Sequence, residues 1–252
     1  MNKVGPPRRI IGMWAVVLML VVLVRLNAAW AQAPIPPDPQ LEAGLAALER
    51  RHYATALRAF RASADRGSAW GASNLGYMYE HGLGVGQSYS LALEWYRKAA
   101  AQGLAAAQHN LGTLYFNGWG VEKNAREAFS WFRRAAQQNL APAQYMVGLS
   151  LLEGHGIGVQ AQLALDWFLK AARQGHADAQ MMAAKVFLSG EAVKPSPHKA
   201  YIWADIATAA GQPDASLVRD YASFQLTARE LERAKLEARK CQESRLSQCP
   251  EP

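Results

Sequence analysis

This sequence is expected to form an all-α protein, an α–α superhelix (solenoid) of stacked antiparallel helix pairs, on three grounds. Trp95, Trp131, Trp167 and Trp203 stand 36 residues apart without slippage. Ala92, Ala128, Ala164 and Ala200 precede each tryptophan by three residues, and Gly82, Gly118, Gly154 and Gly190 keep the same step. Within one step, Ala92, Trp95, Tyr96, Ala99 and Ala100 fall at i, i+3, i+4, i+7 and i+8, one face of a helix of period 3.6. A period of roughly 20–50 residues in one chain marks an array in which no unit buries its apolar face alone.

Residues 1–31 read as a secretory signal peptide. Lys3, Arg8 and Arg9 give a basic start, Ile10 to Val24 is uncharged and mostly apolar, and Ala29-Trp30-Ala31 supplies small residues ahead of a cut before Gln32. That run falls short of the roughly 20 residues of a membrane span and ends at Arg25. The alternative is an uncleaved inner-membrane anchor facing the periplasm. Removing the segment takes away four basic residues and no acidic ones, so the formal charge drops from +7 to 23 − 20 = +3. Nothing left resembles a basic stripe for phosphates, which argues against nucleic acid as a partner.

Residues 32–39 form a proline-rich linker that should be extended. Residues 40–71 read as a shortened first unit: Gly44 and Ala56 are 12 residues apart where Gly76 and Ala92 are 16 apart, and Phe60 follows Ala56 as Tyr96 follows Ala92. Residues 72–211 hold four 36-residue units. In the first of these, a helical stretch from Ala72 to Tyr79, a glycine-rich turn over Gly82 to Gly86 and a second stretch from Leu91 to Gln102 follow one another. The tryptophans are read as packing residues on the second helix, with small residues such as Gly76 and Ala99 permitting close approach. Gly103 and Gly175 sit where a left-handed stop is needed, and Asn139 takes that slot in the third unit of the chain. Pro142 and Pro213 are placed in the first turn of the helices that follow, and Lys194-Pro-Ser-Pro197 gives the last unit a stiffer turn.

Residues 212–240 form two closing helices, Ala215 to Phe224 and Thr227 to Lys240; Thr227 with Glu230 makes a capping box, and the charged second helix suits a terminal cap. In the tail, 241–252, Cys241 and Cys249 are separated by seven residues. In an oxidising compartment they can close a local disulfide that pins the tail to the last helix, whereas a metal site would lack further ligands nearby.

The residues Asn74-Leu-Gly-Tyr-Met-Tyr-Glu-His-Gly-Leu-Gly-Val85, followed by Ala92, Trp95-Tyr96, Lys98-Ala-Ala100 and Gly103, resemble the Sel-1-like repeat of the tetratricopeptide superfamily. The match recurs at 110–139 and 145–175 and degenerates at 181–211. The resemblance implies a right-handed superhelix acting as a scaffold, with the first helix of each pair lining a concave groove. Secreted bacterial members are typically periplasmic or membrane-associated interaction proteins. Some members carry a disulfide in every repeat; these repeats contain no cysteine, so nothing specific to that subgroup transfers.

Mapping the groove positions of the tetratricopeptide pattern, three before and one and four after the repeated Gly76, Gly112 and Gly148, selects Tyr77 and Glu80, then His109, Thr113 and Phe116, then Tyr145 and Leu149; Ala184 in the fourth slot selects Lys185. This surface, largely apolar and aromatic, is the expected site for a protein or peptide partner. Each of its residues has a competing role in packing between repeats.

No cofactor is expected. The glycine turns follow helices instead of strands and recur, which makes them structural turns and not phosphate loops. The six histidines form no HExxH pair, and neither a G-x-S-x-G elbow nor an embedded serine–lysine motif occurs. Glu153 and His155 resemble an acid–base or metal pair, but equivalent positions elsewhere are Asn117 with Trp119 and His81 with Leu83. The expected function is therefore a non-enzymatic envelope scaffold that binds protein. The alternatives are a periplasmic regulator of an envelope signalling protein and, less favoured by the residues, a cell-wall hydrolase.

Overall fold

The structure is a computed structural model that describes residues 38–251. Residues 1–37, where a signal peptide and most of a linker are expected, lie outside the described residues. Five antiparallel helix pairs follow one another: α1 (Pro39–Glu49) with α2 (Tyr53–Asp65), α3 (Ala69–His81) with α4 (Tyr89–Ala101), α5 (Ala105–Asn117) with α6 (Ala125–Gln137), α7 (Ala141–Glu153) with α8 (Ala161–Arg173), and α9 (Ala177–Ser189) with α10 (Pro197–Ala209). Two further helices, α11 (Ala215–Phe224) and α12 (Ala228–Glu243), close the stack. In the later four pairs the helices pack on each other, α1 meets α2 where Gly44 faces Phe60, each second helix from α2 to α8 packs on the first helix of the next pair, and α11 and α12 both pack on α10. Among the described residues there is no strand.

Two prolines sit differently from the sequence expectation. Pro39 is the first residue of α1 and not the end of an extended linker, because a first-turn proline loses no helical hydrogen bond. Pro213 lies before the cap of α11, in a turn where Gln212 Oε1 accepts the Asp214 amide at 2.8 Å. Pro142 is within the first turn of α7.

The helix ends follow the local chemistry. Ser68, Ser88, Asn124 and Ser196 each cap a helix by accepting an amide three residues on. Asn139 has φ 65° at the stop where Gly103 and Gly175 have φ 88° and 87°. Thr227 and Glu230 form the reciprocal capping box at the start of α12.

The tryptophan ladder is not the buried seam. Trp95, Trp131 and Trp167 are half-buried, and Trp203 is the one fully enclosed. The ring driven into each pair is the next residue, Tyr96, Phe132 or Phe168, all at 0% exposure. One residue along a helix is a rotation of about 100°, so the tryptophan is left on the flank. The enclosed ring lies against the repeated glycine of the first helix. A Cβ on Gly112 would stand 2.7 Å from the Phe132 ring, and one on Gly44 2.5 Å from Phe60. In the last pair both sides change: Ala184 replaces the glycine and Ala204 the ring, while Phe187 and Trp203 become the large buried side chains.

The turns dock one pair on the previous one. Gly156 approaches the amino end of α6 so closely that a Cβ would lie 2.4 Å from the Ala125 carbonyl carbon. Buried glutamines then stitch successive pairs. Gln108, Gln144 and Gln180 donate to the carbonyls of Ala100, Ala136 and Ala172 in the preceding pair at 3.4, 3.3 and 3.1 Å. The first two are in turn approached from their own pair's last cap, with Gln138 donating to Gln108 Oε1 at 2.8 Å and Gln174 to Gln144 Oε1 at 2.7 Å. The fourth cap is Ala210, and Gln180 Oε1 is buried without a partner.

At the carboxyl end the structure joins Cys241 to Cys249 in a disulfide, with Cα atoms 4.8 Å apart and both residues buried. The tail then crosses α8 and α10: Arg173 pairs with Glu251 at 3.2 Å, and Lys199 Nζ donates to the Glu251 carbonyl at 2.6 Å. The closing helices shield the stack unevenly, since α11 leaves Leu217, Tyr221 and Phe224 at 60–86% exposure.

Two outcomes follow for stability. Gly112→Ala should lower the thermal midpoint, since overpacking costs about 1–3 kcal/mol and a helical alanine returns at most about 1; adding Phe132→Ala should cost less than the two single changes together, as a double-mutant cycle would measure. Ala210→Gln should raise the denaturation midpoint by about 1 kcal/mol by giving Gln180 its missing donor; an unchanged midpoint would show that the orphan oxygen costs nothing.

Candidate interaction surface

The first helices hold the candidate residues on one face, because positions one, three and four residues from a packed glycine flank the buried line of the helix. Their placements differ. Tyr77 is 40% exposed, with its ring centroid 4.2 Å from that of His81. Phe116 is half-buried, 6.5 Å from Phe132 and edge-on to His155 at 5.4 Å, with Lys123 Nζ 5.8 Å from its ring. Tyr145 is half-buried and stacks on His176 at 4.9 Å. Leu149 packs on the main core, and Lys185 is exposed. Thr113 turns its hydroxyl back to the His109 carbonyl at 3.2 Å.

Glu80 has a defined task inside its own pair. Its carboxylate accepts the Tyr96 hydroxyl at 2.6 Å. Burial, and then the Glu80 charge, push the Tyr96 phenol up, so it stays a neutral donor. Where the enclosed ring is phenylalanine, the Glu80 position holds Phe116 or Leu152. The acid thus accompanies the hydroxyl, a pairing invisible when groove positions are read alone.

The groove mapping selects His109 but not the set of histidines to which it belongs. His81, His109, His155 and His176 each lie beside an aromatic ring, His109 being 5.5 Å from Phe132. Three of them sit next to the turn glycines Gly82, Gly154 and Gly175, a signal present in the sequence. His109 Nδ1 is buried with no hydrogen-bond partner. Burial first, and the neighbouring His176 second, push His109 down to about 4. His176 is also shifted down by burial, and its Nδ1 caps α9 by accepting the Ala179 amide at 3.3 Å, which requires that nitrogen to be unprotonated.

Glu153 and His155 do meet, at 3.2 Å, with side chains 51% and 42% exposed. They form a solvated pair at a turn, of the kind that contributes little. No group of three or more His, Cys, Asp or Glu able to hold a metal occurs among the described residues.

Stacked helix pairs joined by glycine turns, with a variable face on the first helices, define an α–α solenoid of the repeat-scaffold class. The Sel1 repeat model matches residues 71–104, 105–140, 141–176 and 177–212, more than half of the chain. The chain belongs to the Sel1 repeat family. Among solved structures it is similar to a Sel1 repeat protein from Oxalobacter formigenes, at 33% identity and a TM-score of 0.66, covering 70% of this chain and 72% of that one. It is also similar to c5321, a protective antigen of uropathogenic Escherichia coli with an SLR fold, at 28% identity, a TM-score of 0.51 and coverage of 77% and 50%. A Sel1 repeat protein from Klebsiella pneumoniae shares the fold at 18% identity and a TM-score of 0.50, covering 73% of this chain and 91% of that one. No curated protein matches the chain.

The histidines set an acid sensitivity. A histidine held below its unfolded value of about 6.5 takes up its proton more readily in the unfolded chain. Its stabilising contribution is therefore complete above that value and is lost as pH falls from 6.5 through the folded value of about 4. By pH 5 the loss at His109 should be about 1–2 kcal/mol. Denaturant titrations at pH 7 and pH 5 should show that His109→Phe loses less stability between them than the unaltered chain; equal losses would remove His109 as the source.

Proposed function

We propose that this chain is an exported, non-enzymatic scaffold that works in the periplasm of a bacterial envelope and binds a protein or peptide in the groove of its first helices. Sel1 and tetratricopeptide-like repeats generally bind protein partners, and one observation carries the reading of the surface. One residue after the repeated glycine, the successive residues are Leu45, Tyr77, Thr113, Leu149 and Lys185, in a chain whose buried positions repeat. Side chains that change in size, polarity and charge along one half-exposed face suit a specific partner, whereas the buried slots change mainly among apolar residues. Leader residues 1–31 and the Cys241–Cys249 disulfide support an oxidising compartment beyond the inner membrane.

Affinity capture from an envelope extract, followed by mass spectrometry, tests the groove. Tyr77→Ala with Phe116→Ala should reduce recovery of the captured partner by about tenfold or more, as expected for aromatic anchors. Undiminished recovery would place binding elsewhere. Amino-terminal sequencing of the same bait should read from Gln32, and an intact Met1 would favour the anchored alternative.

A further inference from the structure

The two faces of the solenoid carry opposite charge. The first helices α1, α3, α5, α7 and α9 contain one Lys or Arg against five Asp or Glu, a net −4. The second helices α2, α4, α6, α8 and α10 contain ten against five, a net +5. The cations fall in two adjacent rows at the repeat period. Two residues after the tryptophan slot come Arg61, Arg97 and Arg133; three after it come Lys98, Arg134 and Lys170. All six are exposed. None pairs with a carboxylate among the described residues.

Each cation of the second row lies over its indole. Lys98 is 4.0 Å from the Trp95 centroid, Arg134 4.4 Å from Trp131 and Lys170 4.2 Å from Trp167. The first row stops one pair early, with buried Leu169 in α8 and Asp205 in α10, whereas the second row runs to Lys170 and stops in the last pair, where Ile206 takes the slot and Trp203 is buried. In this second row a cation leaves the surface where the indole leaves it.

We propose that this second-helix face is a docking surface for an anionic phospholipid bilayer. Unpaired cations supply attraction to headgroup phosphates, which grows with each Lys or Arg brought near the surface. Half-buried indoles add apolar area at headgroup depth; at Trp131 it is the carbon edge that reaches the surface, since its Nε1 is buried. A polyanion alone would explain the cations but not indoles kept in register with them. Docking this way leaves the acidic, aromatic first-helix face turned to its partner.

The test measures partitioning of the full chain to vesicles of equal phosphatidylglycerol and phosphatidylcholine against phosphatidylcholine alone, at low salt, with indole fluorescence as a second readout. The unaltered chain should prefer the anionic vesicles and shift its emission to the blue. Lys98→Glu with Arg134→Glu should weaken that partitioning on the order of tenfold or more. Arg229→Glu with Arg239→Glu on α12, the same change in net charge, should weaken it less than about threefold. Residues 1–37 are common to all variants, so the comparison isolates the face. Should the glutamates perturb folding by circular dichroism, Lys98→Gln with Arg134→Gln repeats the test. Equal losses in the two pairs, no preference for anionic vesicles, or binding to heparin without binding to vesicles would each overturn the proposal.

Discussion

The contact between a helical glycine and an enclosed ring sets the spacing on which the rest of this solenoid depends. Gly44, Gly76, Gly112 and Gly148 leave room for Phe60, Tyr96, Phe132 and Phe168, and a single Cβ would come within 2.5–2.7 Å of each ring. Interiors are too closely packed to absorb that overlap without movement. A helix pair pushed apart would also displace the turn of the following pair, whose Gly156-type contact allows no more slack. The last pair shows the constraint from the other side: Ala184 and Ala204 change together, and the ring volume moves to Phe187 and Trp203.

The periodicity made the architecture legible, because glycines and alanines at fixed spacing have few other uses in a helix. It misplaced the buried ring by one residue. Tryptophan is the most conspicuous residue of the repeat, yet its slot is a flank, and the less uniform Tyr96, Phe132 and Phe168 carry the core. The glutamine seam was hidden for a different reason. Gln108 and Gln138 look like ordinary polar residues until the pairs stack, and their value lies in satisfying carbonyls and each other where water is excluded.

The surface was only partly legible, because side chains chosen for one face were read without their neighbours. Glu80 looked like a groove acid and is the acceptor that makes a buried tyrosine tolerable. Metal and catalytic spacing says nothing of the histidines, because what His81, His109, His155 and His176 share is a place beside a ring, which exists only once the helices pack. Along the chain a net −4 on one set of helices and +5 on the other largely cancel. A sum has no geometry, and the basic rows exist only once the helices are assigned to faces.

Segregation of charge has a structural consequence independent of any partner. Surface cations that form no ion pair, even where Glu94 and Asp166 stand four residues before Lys98 and Lys170, gain nothing from such pairs, and rows of them repel one another along the stack. Fold stability alone would favour a scatter of acids among them, as α12 shows with its Arg233–Glu237 and Lys235–Glu232 pairs. The second helices α2, α4, α6 and α8 instead hold cations on tyrosine hydroxyls or indoles, as Arg61 does with Tyr79 at 3.0 Å and Arg97 with Tyr115 at 2.7 Å. Those contacts orient the side chain without neutralising it. An arrangement that keeps charge ordered and unspent is costly for a surface facing only water and suited to one that meets negative charge.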